Sequence, residues 1–355
     1  MNPRIFVPVL GVIAFSLLMA MTGAFVAPHD VWPNVLLSGC FLAGIGLAGA
    51  FVVAVHDASS GHWLGPLRRI ACSLTRLVLP GSAIALAAIV FGGSHLYPAW
   101  HEHLPHGGLK AIWLDRTFFT IRAFAWVAAW LISIRWLRHR RGAPAFLVVF
   151  GLTVWLSSFD WLMALDPHWA STIFGVYRFA GLVTAGLAVI AIVAVARSRT
   201  DASITSDHLH DIGKLLFAFS TFWMYIWFSQ GMLIWYTNMP EETSFYAVRA
   251  YGNWGVLFWA VVGLMWIVPF FVLLSEPAKR NRTILMRVAI AVLIGHWLDL
   301  YVTIVPASSP EPHLNGWELA IAFGTFAAVG WAVTRPSADA LPAVLEPAAE
   351  VSLPS

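Results

Sequence analysis

The chain is built from ten apolar stretches separated by short breaks that carry charge, Pro or Gly. They run approximately over 5–27, 32–55, 73–94, 117–137, 145–165, 172–196, 212–237, 252–274, 284–305 and 316–334. A bilayer core about 30 Å thick is crossed by a helix of about 20 residues, so each stretch predicts one transmembrane span. The first is long and lacks an A-x-A cleavage site, and is read as a retained span rather than a signal peptide. The breaks are short except for 56–72, 95–116 and 197–211, and none has room for a soluble domain. The expected fold is therefore all-α integral membrane with about ten transmembrane helices, a single polytopic domain over 1–335. The segment 336–355, rich in Pro, Ala and Glu and without Lys or Arg, reads as an extended tail that needs a partner to become ordered. Spans 2 (GCFLAGIGLAGAF) and 6 (YRFAGLVTAGLAV) echo one another. The echo suggests two four-helix units, about 32–165 (spans 2–5) and 172–305 (spans 6–9), flanked by spans 1 and 10. The common use of glycine where membrane helices pack closely explains the same pattern.

Composition strengthens this picture. Hydrophobic residues make up 59% of the chain and charged ones 11%, where a soluble domain carries roughly 25% charged residues. Mean hydropathy is +0.75. Disordered, collagenous, coiled-coil and disulfide-scaffold classes are excluded. The cations give the orientation. Of 21 Lys and Arg, all but Lys110, Arg116, Arg122, Arg178 and Arg249 fall on alternate breaks beginning with the N-terminus. Because short Lys- and Arg-rich loops stay inside, both termini are expected to be cytoplasmic. The net charge of +3 thus serves topology, and no nucleic-acid partner is expected. Cys40 and Cys72 form neither CxxC nor CxxCH, so covalent haem and cysteine-ligated iron–sulfur clusters are not expected in this chain.

Ionisable groups inside a span are costly and normally face protein or water. Here they are few. Span 5 carries Asp160, with Asp166 and His168 just beyond it. Span 6 carries Arg178, and span 7 Gln230 and Tyr236. Span 9 carries His296 and Asp299, three apart and so on one helical face, with Thr303 continuing the stripe. At about 1.5 Å per residue all fall in the outer half of the bilayer, which suggests one polar pocket where spans 5, 6, 7 and 9 converge. A His paired with an Asp suits proton exchange or the hydroxyl of a quinol, and the aromatics of span 7 offer flat walls for a ring. The plainer reading makes Arg178 a clamp on Asp160 or Asp166, His296–Asp299 a satisfied buried pair, and the aromatics interfacial anchors. The inner half offers Ser133, Thr153, Ser220 and Thr221 but no acidic residue or histidine well inside the membrane, so the chain supplies at most an outer half-channel.

Other signals are weaker. His95, His101, His103 and His106 with Glu102 match no closed zinc pattern. Only His296 lies deep in a span, so a transmembrane bis-histidine haem lacks its second ligand. The motifs G-x-x-x-x-G-K-[ST], HExxH and GxSxG are absent.

Three stretches carry a resemblance: SSFDWLMALDPHWASTIFGVYRFAG (157–181), FWMYIWFSQGMLIWYTNMPEET (222–243) and VPFFVLLSEPAKRNRTILMRVAIAVLIGHWLDLYVTIVP (268–306). They are similar to the NrfD-like, polysulfide-reductase-type membrane subunits of bacterial alternative complex III, a quinol:cytochrome c oxidoreductase. The closest likeness is to its ActF type, the quinone-binding subunit 2. The motifs cover about a quarter of the chain; the ten-span pattern extends the likeness to most of it.

The resemblance implies a multi-pass protein of the bacterial cytoplasmic membrane. Its partners would be an ActC-type NrfD-like subunit, an iron–sulfur subunit, multihaem and monohaem cytochromes c, small membrane subunits, lipid and a terminal oxidase. Haem c and iron–sulfur clusters would sit in those partners, with no redox centre in this chain and quinone or quinol as the small ligand of the assembly. The implied role is structural, with a proton path through Asp160, Asp166, Arg178, His296 and Asp299. Two alternatives stand beside it. A direct quinol-binding subunit requires a ring-sized cavity beside His296 and Asp160, not one closed by tryptophans. A secondary transporter usually places its site at the midplane between inverted repeats, whereas the repeat here looks parallel and the polar cluster lies off the midplane.

Overall fold

A computed structural model describes residues 3–61, 63–100 and 108–334. Among them ten helices are long and apolar enough to cross a membrane: Val7–Val26, Pro28–Ala58, Leu67–Leu96, Arg116–Arg138, Ala143–Leu165, Phe174–Arg197, Ser206–Thr237, Gly252–Leu273, Arg282–Ala307 and Gly316–Thr334. We number them spans 1 to 10. The protein is an all-α, multi-pass membrane protein. The expected tail and the histidines at 101, 103 and 106 lie outside the described residues.

Spans 2, 6 and 9 form the centre and are buried nearly all round. A helix that is apolar on every side belongs inside a larger bundle. Span 2 packs on spans 3, 5, 6 and 10; span 6 packs on spans 5, 7 and 9; span 1 leans mainly on span 10. The outer spans present Phe15, Met21, Phe91, Tyr225, Trp235 and Phe271 outwards, an apolar surface that lipid would cover and that water would not tolerate.

Glycine is what lets the central helices meet. A Cβ on Gly81 of span 3 would fall 2.3 Å from the Ala43 backbone nitrogen of span 2, and one on Gly186 of span 6 would fall 2.3 Å from the Ala48 Cβ. The echoing spans 2 and 6 thus pack against one another through their small residues. Replacing Gly81 by alanine is expected to destabilise the protein by about 1–3 kcal/mol, because backbone cannot yield as a side chain can. Gly11 has nothing within 4 Å of its Cβ position, so its alanine variant should unfold like the parent in a detergent melt.

Helix ends are closed by cations. Arg76 and Arg197 donate to the Ala332 and Val333 carbonyls at the end of span 10, and Lys279 donates to Leu273 and Leu274 at the end of span 8. Cations favour helix C-termini, where carbonyls are left over. Span 8 also contains a π-helical turn, Gly263–Ile267, just before Pro269. Proline has no N–H for the carbonyl one turn back, and a π turn absorbs that gap. Met265 of this turn packs against Gly295, next to His296.

The cation-rich end of span 2 carries a buried ion pair. The helix runs on to Ala58, and His56 and Asp57 are buried there. Arg68 pairs with Asp57 at 2.8 Å and His56 lies 3.2 Å from it. Asp57 and His56 sit at the end of the helix, one and two residues before Ala58.

Candidate functional site

Span 9 is the site's axis. Its Asp299 accepts from the Tyr177 hydroxyl and from Arg178 Nη1, the latter at 3.0 Å. Tyr177 and Arg178 are neighbours at the start of span 6, so both reach the same carboxylate from one turn. His296 lies one turn deeper; its Nδ1 is 3.8 Å from Asp299 and has no hydrogen-bond partner. The imidazole fits because Gly181 of span 6 has no side chain: a Cβ there would lie 3.1 Å from His296 Cε1. Its ring stacks on Phe41 of span 2, centroids 5.8 Å apart.

Beside Asp299 is a cavity of about 20 Å³, lined by Tyr177, Gln230, Tyr246, Arg249 and Thr303 with aromatic walls that include Phe174 and Trp227. That is room for about one water molecule. Gln230 is buried and its Oε1 has no protein partner, which makes it a natural ligand for such a water. Thr303 lines the cavity, but its hydroxyl donates to the Asp299 carbonyl at 2.7 Å and so serves the helix.

Arg249 closes the cavity toward the cation-poor face. It sits in the helix Pro240–Ala250 and donates to the Val302 and Thr303 carbonyls at 3.0 and 3.1 Å, while its guanidinium lies 3.5 Å over the Phe245 ring. Burial pulls its pKa down to about 10, which leaves it charged at neutral pH. Phe245 in turn stacks on Trp169 at 3.8 Å.

The structure brings together Arg178, Gln230, His296 and Asp299 from the expected set, and separates the other three. Asp160 is turned toward span 4, not toward Arg178. It accepts from Arg122 Nη2 at 2.8 Å and Nε at 3.1 Å, and from Trp126 Nε1 at 2.8 Å. With a bidentate arginine and an indole, that carboxylate is fully engaged as a clamp between spans 4 and 5. The clamp expected of Arg178 is thus corrected: Arg178 holds Asp299, and Arg122 holds Asp160. Tyr236 is 82% exposed and faces outward, so it does not belong to the pocket.

Asp166 is half-buried, within reach of the charge of Arg249. It lines a separate, more open hollow of about 330 Å³ with Lys110, Trp113 and Trp169. Tyr177, Tyr246 and Arg249 escaped the sequence reading. Tyr177 adjoins Arg178, which is a usable signal; nothing in the spacing points to Tyr246 or Arg249. Among the described residues no group of three or more His, Cys, Asp or Glu is placed to hold a metal ion. Neither cysteine forms a disulfide.

Comparison with models of known protein families finds no match, and a search among curated proteins finds no significant relative.

Proposed function

We propose that this chain is a redox-silent membrane subunit of a quinol-oxidising respiratory complex of the alternative complex III type, and that it carries a proton-handling site at Asp299. The buried acid joined to Tyr177, Arg178 and a water-sized cavity is the observation that carries the proton reading. Asp299 and the tyrosine hydroxyl can exchange a proton directly, the cavity has room for a water to continue the transfer, and Gln230 can hold that water. His296, with a free ring nitrogen one turn deeper, is the next group inward. Arg178, 3.0 Å from Asp299, orients the carboxylate. The complex and its partners rest on the resemblance of the three motifs alone.

About 20 Å³ beside Asp299 is far too little for a quinol ring, which favours a proton over a quinol at this position. Counted along the helix, Asp299 lies about 12 Å from the outer end of span 9 and about 7 Å from its middle, displaced from the midplane where a transporter would bind solute. The test is to purify the assembly and reconstitute it in vesicles. Multihaem cytochromes and an iron–sulfur protein should co-purify, and quinol oxidation should release protons in a ratio that drops in the His296→Ala variant. A chain that purifies alone and exchanges a solute overturns the reading.

A further inference from the structure

A second set of titratable groups sits on the opposite flank of span 9, in the seam between spans 2 and 10. Glu318 is 1% exposed. One of its oxygens accepts from the Asn315 backbone N–H at 2.8 Å, which closes the start of span 10. The other faces Asn34 Nδ2 at 3.3 Å and His313 Nε2 at 3.9 Å. The His313 ring is fixed by chemistry. Its Nδ1 lies 2.9 Å from the Glu311 carbonyl, which can only accept, so Nδ1 carries a proton. Its Nε2 then faces two carboxylates, Asp30 at 3.3 Å and Glu318. That arrangement is satisfied only when a further proton sits on the imidazole or on one of the acids.

Among the described residues, the other titratable groups about this cluster are Tyr301 of span 9, which donates to the His313 carbonyl, and Glu311, whose carboxylate is held by Asn253. His29 of span 2 is engaged with His95 of span 3. The described part of span 1, on the far side of span 10, has no titratable side chain. Burial alone would lower the His313 pKa, but the Glu311 carbonyl, Asp30 and Glu318 outweigh it and hold it above the usual histidine value.

From this cluster a polar track descends along the seam. Asn34 is 1% exposed and its Oδ1 has no partner. Ser38 donates to the Asn34 carbonyl at 2.9 Å, and Thr325 donates to Ser38 at 2.8 Å. Just beyond lie Phe41 and Phe326, ring centroids 5.5 Å apart, and on the other face of Phe41 is His296 with its free nitrogen.

We propose that Glu318, with His313 and Asp30, is a proton-exchange site through which the His296 region communicates with solution at the cation-poor face, with Phe41 separating the two. In the outward step the gap of 3.9 Å between Glu318 and His313 Nε2 first closes to hydrogen-bond reach; the Glu318 O–H bond then breaks, an N–H bond forms at Nε2, and the imidazolium returns that proton to water, which its 29% exposed side chain reaches. The inward continuation passes Asn34, Ser38 and Thr325, and needs the Phe41 ring to turn aside. This inference rests on the proton reading of Asp299.

Two measurements on the purified assembly test it. In infrared difference spectra between low and high pH, a carboxyl band should vanish in Glu318→Gln, a substitution that keeps the acceptor for Asn315. No turnover is needed for this reading. In vesicles oxidising quinol, Glu318→Gln should slow proton release about tenfold or more, and His313→Gln should move the pH of half-maximal release. Should Glu318→Gln fail to assemble, His313→Gln, altered at a partly exposed loop, carries the test. An unchanged infrared titration or wild-type proton release in Glu318→Gln overturns the proposal. If Asp299→Asn stops release and Glu318→Gln does not, this inference alone falls. If neither variant matters, the reading of Asp299 falls with it.

Discussion

Asp299→Asn is expected to cut proton release by the assembly roughly 10²-fold, the scale on which positioned proton donors act. Asparagine has nearly the shape of aspartate and can still accept from Tyr177, but it cannot take up and give back a proton. It also leaves Arg178 as a buried charge beside a neutral amide. Removing one partner of a buried pair costs about 3–5 kcal/mol; the retained hydrogen bonds should hold this variant near the lower end. The two effects separate by adding Arg178→Gln. The double variant should recover much of the lost stability in a detergent melt, since no unpaired charge remains, while proton release stays low. Recovery of proton release along with stability would mean that Asp299 serves only as a structural partner of Arg178.

Arg122→Ala is expected to be at least as damaging to stability and to leave proton release per electron unchanged in whatever fraction assembles. Asp160 is completely buried and depends on Arg122 for two of its hydrogen bonds. Truncating the arginine strands a carboxylate in an apolar setting, again about 3–5 kcal/mol. It also removes the guanidinium from the faces of Trp113 and Phe118, 4.1 and 4.4 Å from their ring centroids. The double variant Arg122→Leu/Asp160→Leu should regain most of the loss, because apolar replacements of a buried pair are often neutral. Unfolding midpoints and the proton-to-electron ratio are the measurements. A fall in that ratio at full assembly would place Asp160 back among the proton-handling groups.

The contrast between these two aspartates marks how far the sequence could be read. The sequence places both in the outer half of the bilayer, but pairs Arg178 with Asp160 or Asp166, and Asp299 with His296. Which aspartate Arg178 meets depends on how spans 5, 6 and 9 are rotated about their own axes. A helix that is amphipathic announces its inward face, but these central spans are apolar on almost every side, so their pattern carries little information on rotation. His296 and Asp299 were legible as a pair because a spacing of three fixes a common face within one helix. Tyr236 was misplaced for the opposite reason: span 7 is aromatic all round, and only packing shows that Gln230 turns inward and Tyr236 outward.

Glu318 shows the same limit. In the sequence it stands two residues into the last span, and nothing in the spacing singles it out. Its importance arises because Asp30 and Asn34, some 280 residues earlier in the chain, are brought to it by span 2.

The ten spans were determined by the sequence alone, because bilayer thickness acts on local segments. The tertiary structure decided which polar groups meet: Arg178 with Asp299, Arg122 with Asp160, and Glu318 with His313 and Asn34. Those pairings depend on how the helices are rotated and packed against one another, a relation that no single apolar stretch encodes.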